Sequence, residues 1–374
     1  MAIQSINNLL SSISAGKTRE IRWQKQLGGS NYSTGRSYDL STLTGHPVAT
    51  AYAGTSLVAQ TCHELVGDGT NTFGAYLGGD QSSDIKHLMN VSAMSTSTTG
   101  VPSTIILCDF LMYYPGINMN SNALQTLINS NTFTASSSSG LLLTYTNDFR
   151  TYTQVRFTTT GTLPTGLSLA TDYWIVRQSG TTANVSTSMA NAIAGTFIAY
   201  TDAGTGTHTM TVQIPRYTDG SGVRAFLKVK TTTGGSAHNL AYSYTNQAGT
   251  ASRTNPVTVG CNVNNITPAI AHSGTGTNNY EYLPMQSGDI GIQSFQSVQL
   301  SAASGGGTAD LILVKELATI PLSLVYVTTK IDLLNSIPSF PVIKNGACVS
   351  FLLQAGANVA ASSNFSGSIE AVWG

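Results

Sequence analysis

The feature that most constrains the fold is a series of short apolar segments separated by turn-forming residues. The segments are strand-length and rich in β-branched and aromatic residues, as at 103–108, 223–230, 297–301 and 310–314. The turns between them are rich in Gly, Ser and Asn. A regular alternation of strands with helix-length segments is missing. The sequence therefore predicts a mostly β protein with an antiparallel β-sandwich or jelly-roll-like body.

Within residues 223–230, two sets of side chains alternate along the predicted strand. One set is apolar and comprises Val223, Ala225, Leu227 and Val229. The other comprises Arg224, Phe226, Lys228 and Lys230. A period of two residues is typical of a strand, and we expect the face with the three charged residues to be the wetter one.

Two segments predict helices. Apolar residues recur at steps of three and four residues before Gly16, namely Ile3, Ile6, Leu9, Leu10 and Ile13. This pattern predicts a short N-terminal amphipathic helix with a glycine stop. Its apolar stripe covers the base of a sheet or, alternatively, docks on a neighbouring subunit. A second, weaker helix is predicted over 331–337, ending before Pro338.

The densest basic stretch runs from Lys17 to Lys25. We interpret it as a solvated helix end and connector, with contact to an acidic neighbouring subunit as the alternative. Nothing else in the chain clusters Lys and Arg, and 17 basic residues balance 17 acidic ones. Binding of nucleic acid is not expected, because it requires a basic face that displaces counterions from phosphates.

Charged residues make up only 9% of the chain, against a usual level of about 25%. The 41% of hydrophobic residues is too high for a disordered chain, so a folded protein is expected. A net charge near zero is tolerated by proteins that function as packed subunits of a large array. The first residues show neither a basic segment nor a continuous apolar run. We therefore expect no signal peptide, no membrane span and synthesis in a cytoplasm.

The length of 374 residues predicts two compact units. Residues 131–213 are predicted to form an inserted small β-module. They begin at a Ser-rich segment and end before Ile214, where the pattern of the sequence changes. Insertions are tolerated at exposed loop tips. Residues 1–130 and 214–374 are then predicted to form one discontinuous β-sandwich body, from which the module projects.

Candidate metal ligands are few. The chain contains Cys62, Cys108, Cys261 and Cys348 without a C-x-x-C pair, and Cys108 and Cys348 lie in apolar runs typical of buried thiols. Possible zinc ligands are Cys62, His63 and Glu64, together with His87. A zinc site needs two close ligands on each of two elements, and His87 is isolated in the sequence. His46, His238 and His272 are placed in loops and His208 in a structural strand. We predict no metal and no cofactor.

Candidate catalytic groups are equally sparse. Asp80, Asp84 and Glu281 are the only carboxylates positioned to suggest a glycan hydrolase, and loop hydrogen bonding explains them better. No G-x-S-x-G turn and no phosphate-binding glycine motif occurs. A tyrosine patch at 278–282 is a candidate for sugar stacking or subunit contact. We predict no catalytic residues and no enzyme.

The module also carries a resemblance. Five of its segments resemble a β-module of tailed-bacteriophage structural proteins. They are residues 154–157, the Thr-Gly-Thr-Leu-Pro-Thr-Gly-Leu turn at 160–167, the strand 173–177 and the segments 191–197 and 201–208. The outer part resembles a poorly characterised family of virion structural proteins from tailed bacteriophages. This second resemblance rests on the segments 35–40, 109–116 and 243–250 and the terminal Ala371-Val-Trp-Gly.

The resemblance implies assembly and display rather than catalysis. It favours a capsid decoration or cement protein that stabilises the head, with a tail-associated or receptor-binding protein as the alternative. The implied partners are the major capsid protein or other virion proteins and further copies of the chain, as a trimer. The module is a candidate for contact with host surface glycans. The implied location is the virion, assembled in the host cytoplasm.

Overall fold

The prediction of a mostly β protein is confirmed. The computed structural model describes residues 3–50, 52–54, 56–63, 74–81, 83–136, 142–143, 145–262, 264–273, 280–333 and 340–374. Within them the chain forms two α-helices and 23 strands, and the named strands pair only in antiparallel fashion. None of the helices in these ranges is long and apolar enough to cross a membrane.

The helices are α1 (Ile6–Ser14) and α2 (Met189–Ile193), with a 3-10 turn at Leu40–Thr42. The strands are β1 (Thr18–Gln26), β2 (Arg36–Asp39), β3 (Gly45–His46), β4 (Gln60–Thr61), β5 (Lys86–Ser95), β6 (Ser103–Asn118), β7 (Gln125–Thr126), β8 (Ser130–Ala135), β9 (Leu142–Leu143), β10 (Gln154–Thr159), β11 (Tyr173–Arg177), β12 (Thr182–Ser186), β13 (His208–Val212), β14 (Val223–Thr231), β15 (His238–Asn246), β16 (Arg253–Thr254), β17 (Val259–Cys261), β18 (Ile292–Leu300), β19 (Thr308–Leu322), β20 (Thr329–Asp332), β21 (Val342–Ile343), β22 (Cys348–Ala355) and β23 (Asn364–Trp373).

Three open sheets form the body. The first has the order β20-β5-β23-β1-β3, with β21 on β5. The second has the order β14-β19-β6-β22-β2, with β4 on β6, and the third has the order β16-β15-β18-β7, with β17 on β15. The long strands β6 and β19, of 16 and 15 residues, pair along their length and form the spine of the second sheet.

The sheets pack face to face on this spine. At one end the second sheet packs on the first, where Trp23 stacks on Phe351 with ring centroids 4.0 Å apart. Towards the other end it packs on the third, where Leu227 shares a core with Tyr244 and Phe295. Aromatic rings at such distances add to the burial of apolar area that stabilises each layer.

Six strands between Ser130 and Val212 close into a barrel of order β10-β11-β12-β9-β8-β13. Its interior is lined by Phe133, Phe157 and Met210. The same apolar cluster continues into the core between the second and third sheets. The barrel and the body are thus packed on each other. The predicted module boundaries at 131 and 213 stay a prediction; the barrel already begins at Ser130.

The predicted N-terminal helix is confirmed as α1. Ser5 caps it by accepting a hydrogen bond from the Asn8 amide at 3.2 Å, and Gly16 follows its end with a φ of 71°. Ile3 and Leu9 are buried in a small cluster whose other members come from distant segments: Met89, Phe340 and Val372.

Two predictions about local structure are wrong. The stretch from Lys17 to Lys25 is not a helix end and connector, because Thr18–Gln26 forms β1 and pairs with β23 along its whole length. The helix predicted over 331–337 is contradicted at Ile331 and Asp332, which lie in β20. The rest of that segment, from 334 on, lies outside the described residues.

On β14 the face with the charged residues is the wetter one, as expected, but only near its two ends. Phe226 and Lys228 are buried, and only Arg224 and Lys230 reach the solvent in part. The segment around Tyr52 covers this side of the second sheet and forms with it a separate core that contains Phe110 and Ile312.

Candidate functional site

A cleft of about 360 Å³ lies where the barrel meets the body. The barrel contributes Trp174 from β11 and Met189 and Ile193 from α2. The body contributes Tyr76, Asp80, Asn345, His63 and Arg216 among others. The lining thus combines two aromatic rings with a carboxylate and an amide, which is a combination suited to binding a small polar ligand.

The alternation along β11 places Trp174 on the outside of the barrel. Tyr173 and Ile175 point inward and are buried, whereas Trp174 is half-buried at the cleft. The indole Nε1 of Trp174 is shielded from solvent and has no hydrogen-bond partner among the described residues. A shielded indole N–H usually has a partner, so this donor is an unsatisfied polar group in the wall of the cleft.

The two polar groups of the cleft are held by the loops that carry them. Asp80 Oδ1 accepts a hydrogen bond from the Gly346 amide at 2.8 Å. Asn345 Oδ1 accepts one from the Gln81 amide at 3.1 Å. Asn345 Nδ2 in turn donates to the Gln81 carbonyl oxygen at 3.2 Å, so each loop orients the other.

The floor of the cleft is formed by Arg216 and His63, which are both buried. Arg216 is paired with Asp109 at 2.7 Å. Burial, and next the charge of Arg216, lower the pKa of His63 to about 3. His63 is therefore neutral at physiological pH, and its Nε2 lies 2.9 Å from the hydroxyl of Thr61.

The candidate metal ligands do not come together. Cys62 and His63 are adjacent in the chain, Glu64 lies outside the described residues, and His87 is buried against Phe340 with ring centroids 5.8 Å apart. Among the described residues no group of three His, Cys, Asp or Glu side chains is arranged to hold a metal ion. The four cysteines are buried and free.

The other histidines have local structural roles. His208 lies in β13, 2.8 Å from the Thr159 hydroxyl and 3.0 Å from the Ala203 carbonyl oxygen. The loop placement is wrong for His238, which begins β15 and is buried, and for His46, which lies in β3. His272 is buried in a turn, where its ring bonds to the Leu227 amide and to the Tyr280 carbonyl oxygen.

The three candidate acids, Asp80, Asp84 and Glu281, each interact with different groups. Asp84 bonds to Lys17 at 2.6 Å, and this hydrogen bond lowers the pKa of Asp84. Glu281 is half-buried, and burial, followed by the charge of Glu316, raises its pKa. Tyr282 bonds to Glu316 at 3.4 Å. The influence of Glu316 on Glu281 was not recognisable in the sequence, because the two residues come from distant segments.

Part of the tyrosine patch at 278–282 is described. Residues 278 and 279 lie outside the described residues, and Tyr280 and Tyr282 are half-buried rather than exposed. Sequence reasoning missed both aromatic residues of the cleft, Tyr76 and, on the barrel, Trp174. The signal of Trp174 was present in β11, since an apolar residue out of phase with its buried neighbours marks an outward position.

The largest exposed apolar groups lie away from the cleft. On α1, Ile6, Leu10 and Ile13 are 64%, 57% and 41% exposed. They recur at steps of four and three residues and so share one face of the helix. Between β19 and β20, Leu324 and Tyr326 are 62% and 66% exposed.

No family model matches the chain, and no curated protein matches it. A solved structure of T=1 particles derived from infectious bursal virus has a TM-score of 0.14 and 11% identity, covering 80% of each chain. The structure of the infectious bursal disease virus Gx strain has a TM-score of 0.13 and 12% identity, covering 82% of this chain and 84% of that one. At these TM-scores the likeness carries no argument about fold or function.

Proposed function

We propose that the chain is a non-enzymatic structural protein of a tailed-bacteriophage virion, located on the head as a decoration or cement component. The observation that carries the proposal is the exposed apolar stripe of α1, which consists of Ile6, Leu10 and Ile13. The resemblance of the sequence to virion structural proteins is the reason for choosing a virion as the setting.

In the part of the chain that the structure describes, the stripe stays exposed. The opposite side of α1 already packs through Leu9 onto the body, beside Ile3. Exposed apolar side chains on a helix without charged residues favour contact with another protein surface. In this proposal the stripe packs on the major capsid protein or another virion protein, and copies of the chain associate as trimers. Repetition over the lattice makes modest contacts strong.

The charge balance supports packing in an array. With 17 basic and 17 acidic residues, copies do not repel one another through net charge. Among the described ion pairs, that of Arg216 and Asp109 lies in the interior of the body. In this proposal the chain is synthesised in the host cytoplasm, joins the virion and acts there by adding contacts between subunits.

The experiment is quantitative mass spectrometry of purified particles with the major capsid protein as the internal standard. A head component is expected in hundreds of copies, whereas about six, twelve or eighteen copies indicate the tail tip or neck and favour the alternative of a tail-associated or receptor-binding protein. Particles without the chain overturn the proposal. Leu10→Asp is expected to abolish incorporation, and Ile290→Asp, at a 56% exposed residue away from α1, serves as the matched control.

The cleft favours a second candidate function, which is binding of a host surface glycan. Trp174 and Tyr76 offer ring faces, and Asp80 and Asn345 offer hydrogen bonds, the pairing of groups that recognises a sugar ring. The test is titration of the purified chain with host surface polysaccharide. Trp174→Ala is expected to remove binding and Tyr326→Ala, at an exposed tyrosine outside the cleft, to preserve it. Equal binding by both variants excludes the cleft.

The proposal that the chain is not an enzyme has its own assay. Host capsule is incubated with the wild-type chain and with Asp80→Asn and Glu281→Gln, and release of reducing ends is measured. No release by any of the three is expected. Release by the wild-type chain that either variant abolishes overturns this part of the proposal.

A further inference from the structure

Lys228 and Asp310 face each other across two buried strands. They are directly opposed in the register of β14 and β19. Their side chains are 6% and 0% exposed, and Lys228 Nζ lies 3.7 Å from Asp310 Oδ2. A charge-assisted hydrogen bond between such groups is about 2.7–2.9 Å long. The two groups are therefore in contact without forming the hydrogen bond that a buried ion pair requires.

The two oxygens of Asp310 differ in their surroundings. Oδ1 accepts a hydrogen bond from the Gly116 amide at 3.2 Å and lies 3.6 Å from Lys230 Nζ. Oδ2 is buried and accepts no hydrogen bond from the described residues. One oxygen is thus supported by a donor and a cation, while the other faces only the amine of Lys228.

A second buried acid lies beside the pair. Asp39 is completely buried; its Oδ1 accepts a hydrogen bond from the Ser41 amide at 2.9 Å, and its Oδ2 has no hydrogen-bond partner among the described residues. Lys228 forms a bridge to Ile270, and the Asp39 amide donates to the Pro268 carbonyl oxygen. This short segment therefore brings β2 next to β14.

The surroundings favour the uncharged forms of the two carboxyl groups. The ring centroid of Tyr52 is 4.8 Å from Lys228 Nζ, and Phe226 and Ile312 complete an apolar wall. Burial raises the pKa of Asp39 and also that of Asp310, although the charge of Lys228 opposes both shifts. A neutral amine beside a neutral carboxylic acid is the reactive combination for forming an amide.

We infer that Lys228 and Asp310 join in an intramolecular isopeptide bond between Nζ and Cγ. One proton passes from the ammonium group to Oδ2, which leaves an amine and a carboxylic acid. Nζ attacks Cγ, and the negative charge that develops on Oδ1 is stabilised by the Gly116 amide and the Lys230 ammonium. Asp39 takes a proton from the nitrogen and passes it to the Oδ2 hydroxyl. The Cγ–Oδ2 bond breaks, one water leaves, and Asp39 returns to its initial state.

The geometry selects Lys228 over Lys230 as the nucleophile. Lys230 Nζ donates to the carbonyl oxygens of Tyr52 and Gly54 at 2.8 and 2.9 Å. These bonds hold Nζ at the backbone of the Tyr52 segment, and its side chain is 29% exposed. Lys230 therefore serves as a fixed positive charge. The bond through Lys228 ties β14 to β19 covalently and closes a long loop of the chain, which stabilises the fold against pulling and unfolding.

The test is mass spectrometry of the full-length chain after denaturation. The expected intact mass is below the sequence mass by one water, and a protease digest is expected to contain the Lys228 peptide joined to the Asp310 peptide. A folded wild-type chain with the full sequence mass overturns the inference. So does a chain that has lost water without the branched peptide, because dehydration within one peptide also removes a water.

Three variants assign the roles. Lys228→Arg keeps the charge but forms no amide, and Asp39→Asn removes the proton relay, so both are expected to have the full mass. Lys230→Arg is the matched control and is expected to keep the loss of water. If Lys230→Arg loses the bond and Lys228→Arg keeps it, Lys228 is not the nucleophile, and the inference is overturned. If a variant does not fold, the branched peptide of the wild-type chain still decides.

Discussion

Arg216 and Asp109 form a bidentate ion pair in the interior, with Nη2 2.7 Å from Oδ1 and Nε 2.8 Å from Oδ2. Arg216 comes soon after the last strand of the barrel, and Asp109 lies in the spine strand β6. The remaining donors of Arg216 reach the carbonyl oxygens of Cys62 and Phe110 at 2.9 and 2.7 Å. This residue therefore fixes the chain where it returns from the barrel to the body.

Removing the guanidinium is expected to be strongly destabilising. Arg216→Met leaves the Asp109 carboxylate buried and unpaired, and we expect the free energy of unfolding to fall by about 3–5 kcal/mol. The double variant Arg216→Met with Asp109→Asn is expected to regain part of this loss, because the amide oxygen still accepts from the Cys348 amide. Urea unfolding checks both. An equal loss in the single and the double variant contradicts the explanation.

His272 is expected to make the free energy of unfolding depend on pH in the acidic range. Its Nε2 accepts a hydrogen bond from the Leu227 amide at 3.1 Å, so the folded state requires a neutral ring. Burial lowers the pKa of His272 from 6.5 to about 4. Between these values the unfolded chain binds the extra proton, so stability is lost as the pH falls from 6.5 towards 4.

The contribution of His272 is measured as a difference. The stability of the wild-type chain relative to His272→Gln is expected to fall by at most about 1.4 kcal/mol per pH unit in this window and to be level above it. Urea midpoints at several pH values give the slope. A difference that does not change between pH 6.5 and 4 contradicts the assignment.

Lys25 is expected to give a pH dependence of the same sign, but in the alkaline range. Its Nζ donates to the carbonyl oxygens of Ser41, Leu43 and Pro47 at 3.3, 3.1 and 2.6 Å. Burial lowers its pKa from 10.5 to about 8, although the charge of Asp39 opposes the shift. Between these values the unfolded chain holds more protons, so stability rises with pH from 8 towards 10.5.

The comparison is again between two proteins. Because tyrosine and cysteine residues also titrate at alkaline pH, the wild-type stability is taken relative to Lys25→Met. This difference is expected to rise by at most about 1.4 kcal/mol per pH unit above pH 8 and to be constant below it. Thermal unfolding at matched ionic strength provides the measurement, and a falling difference refutes the sign.

Gly367 permits a close approach of two strands. A Cβ at this position meets the Ser92 carbonyl oxygen at 1.9 Å and Trp23 Nε1 at 2.8 Å. Trp23 donates a hydrogen bond to the same carbonyl at 3.0 Å. Gly367→Ala is expected to lower the free energy of unfolding by about 1–3 kcal/mol through overpacking. Gly28→Ala, where nothing lies within 4 Å, is the control and is expected to change it little.

Local patterns in the sequence were sufficient for several elements. The spacing from Ile3 to Ile13 with Gly16 predicted α1, and the alternation along 223–230 predicted β14. Both patterns work because a helix and a strand repeat their side chains with different periods. The same alternation was misread in β1, where Ile21, Trp23 and Lys25 share the inward face. A lysine at that position is predicted to be exposed to solvent unless the carbonyl oxygens that accept its hydrogen bonds are known.

The candidate site was predictable only in part. Asp80 was recognised as a candidate from its residue type, but its neighbours Trp174 and Arg216 come from distant parts of the chain. The same holds for the partners of Lys228, since Asp310 and Asp39 reach it through strand pairing and through the bridging residue Ile270. Pairing of this kind depends on contacts between distant segments, which residue spacing does not encode.

The sequence by itself determined that the chain is mostly β, that α1 begins and ends where it does, and that charge is scarce. Those properties follow from side-chain period, capping and composition, which act within a few residues. Only the tertiary structure decided that Lys25, Lys228 and Asp310 are buried and which groups they face. The reason is physical: a charge enters the interior only where distant carbonyl oxygens, amides or counter-charges replace its water, and these partners meet only when the sheets are stacked.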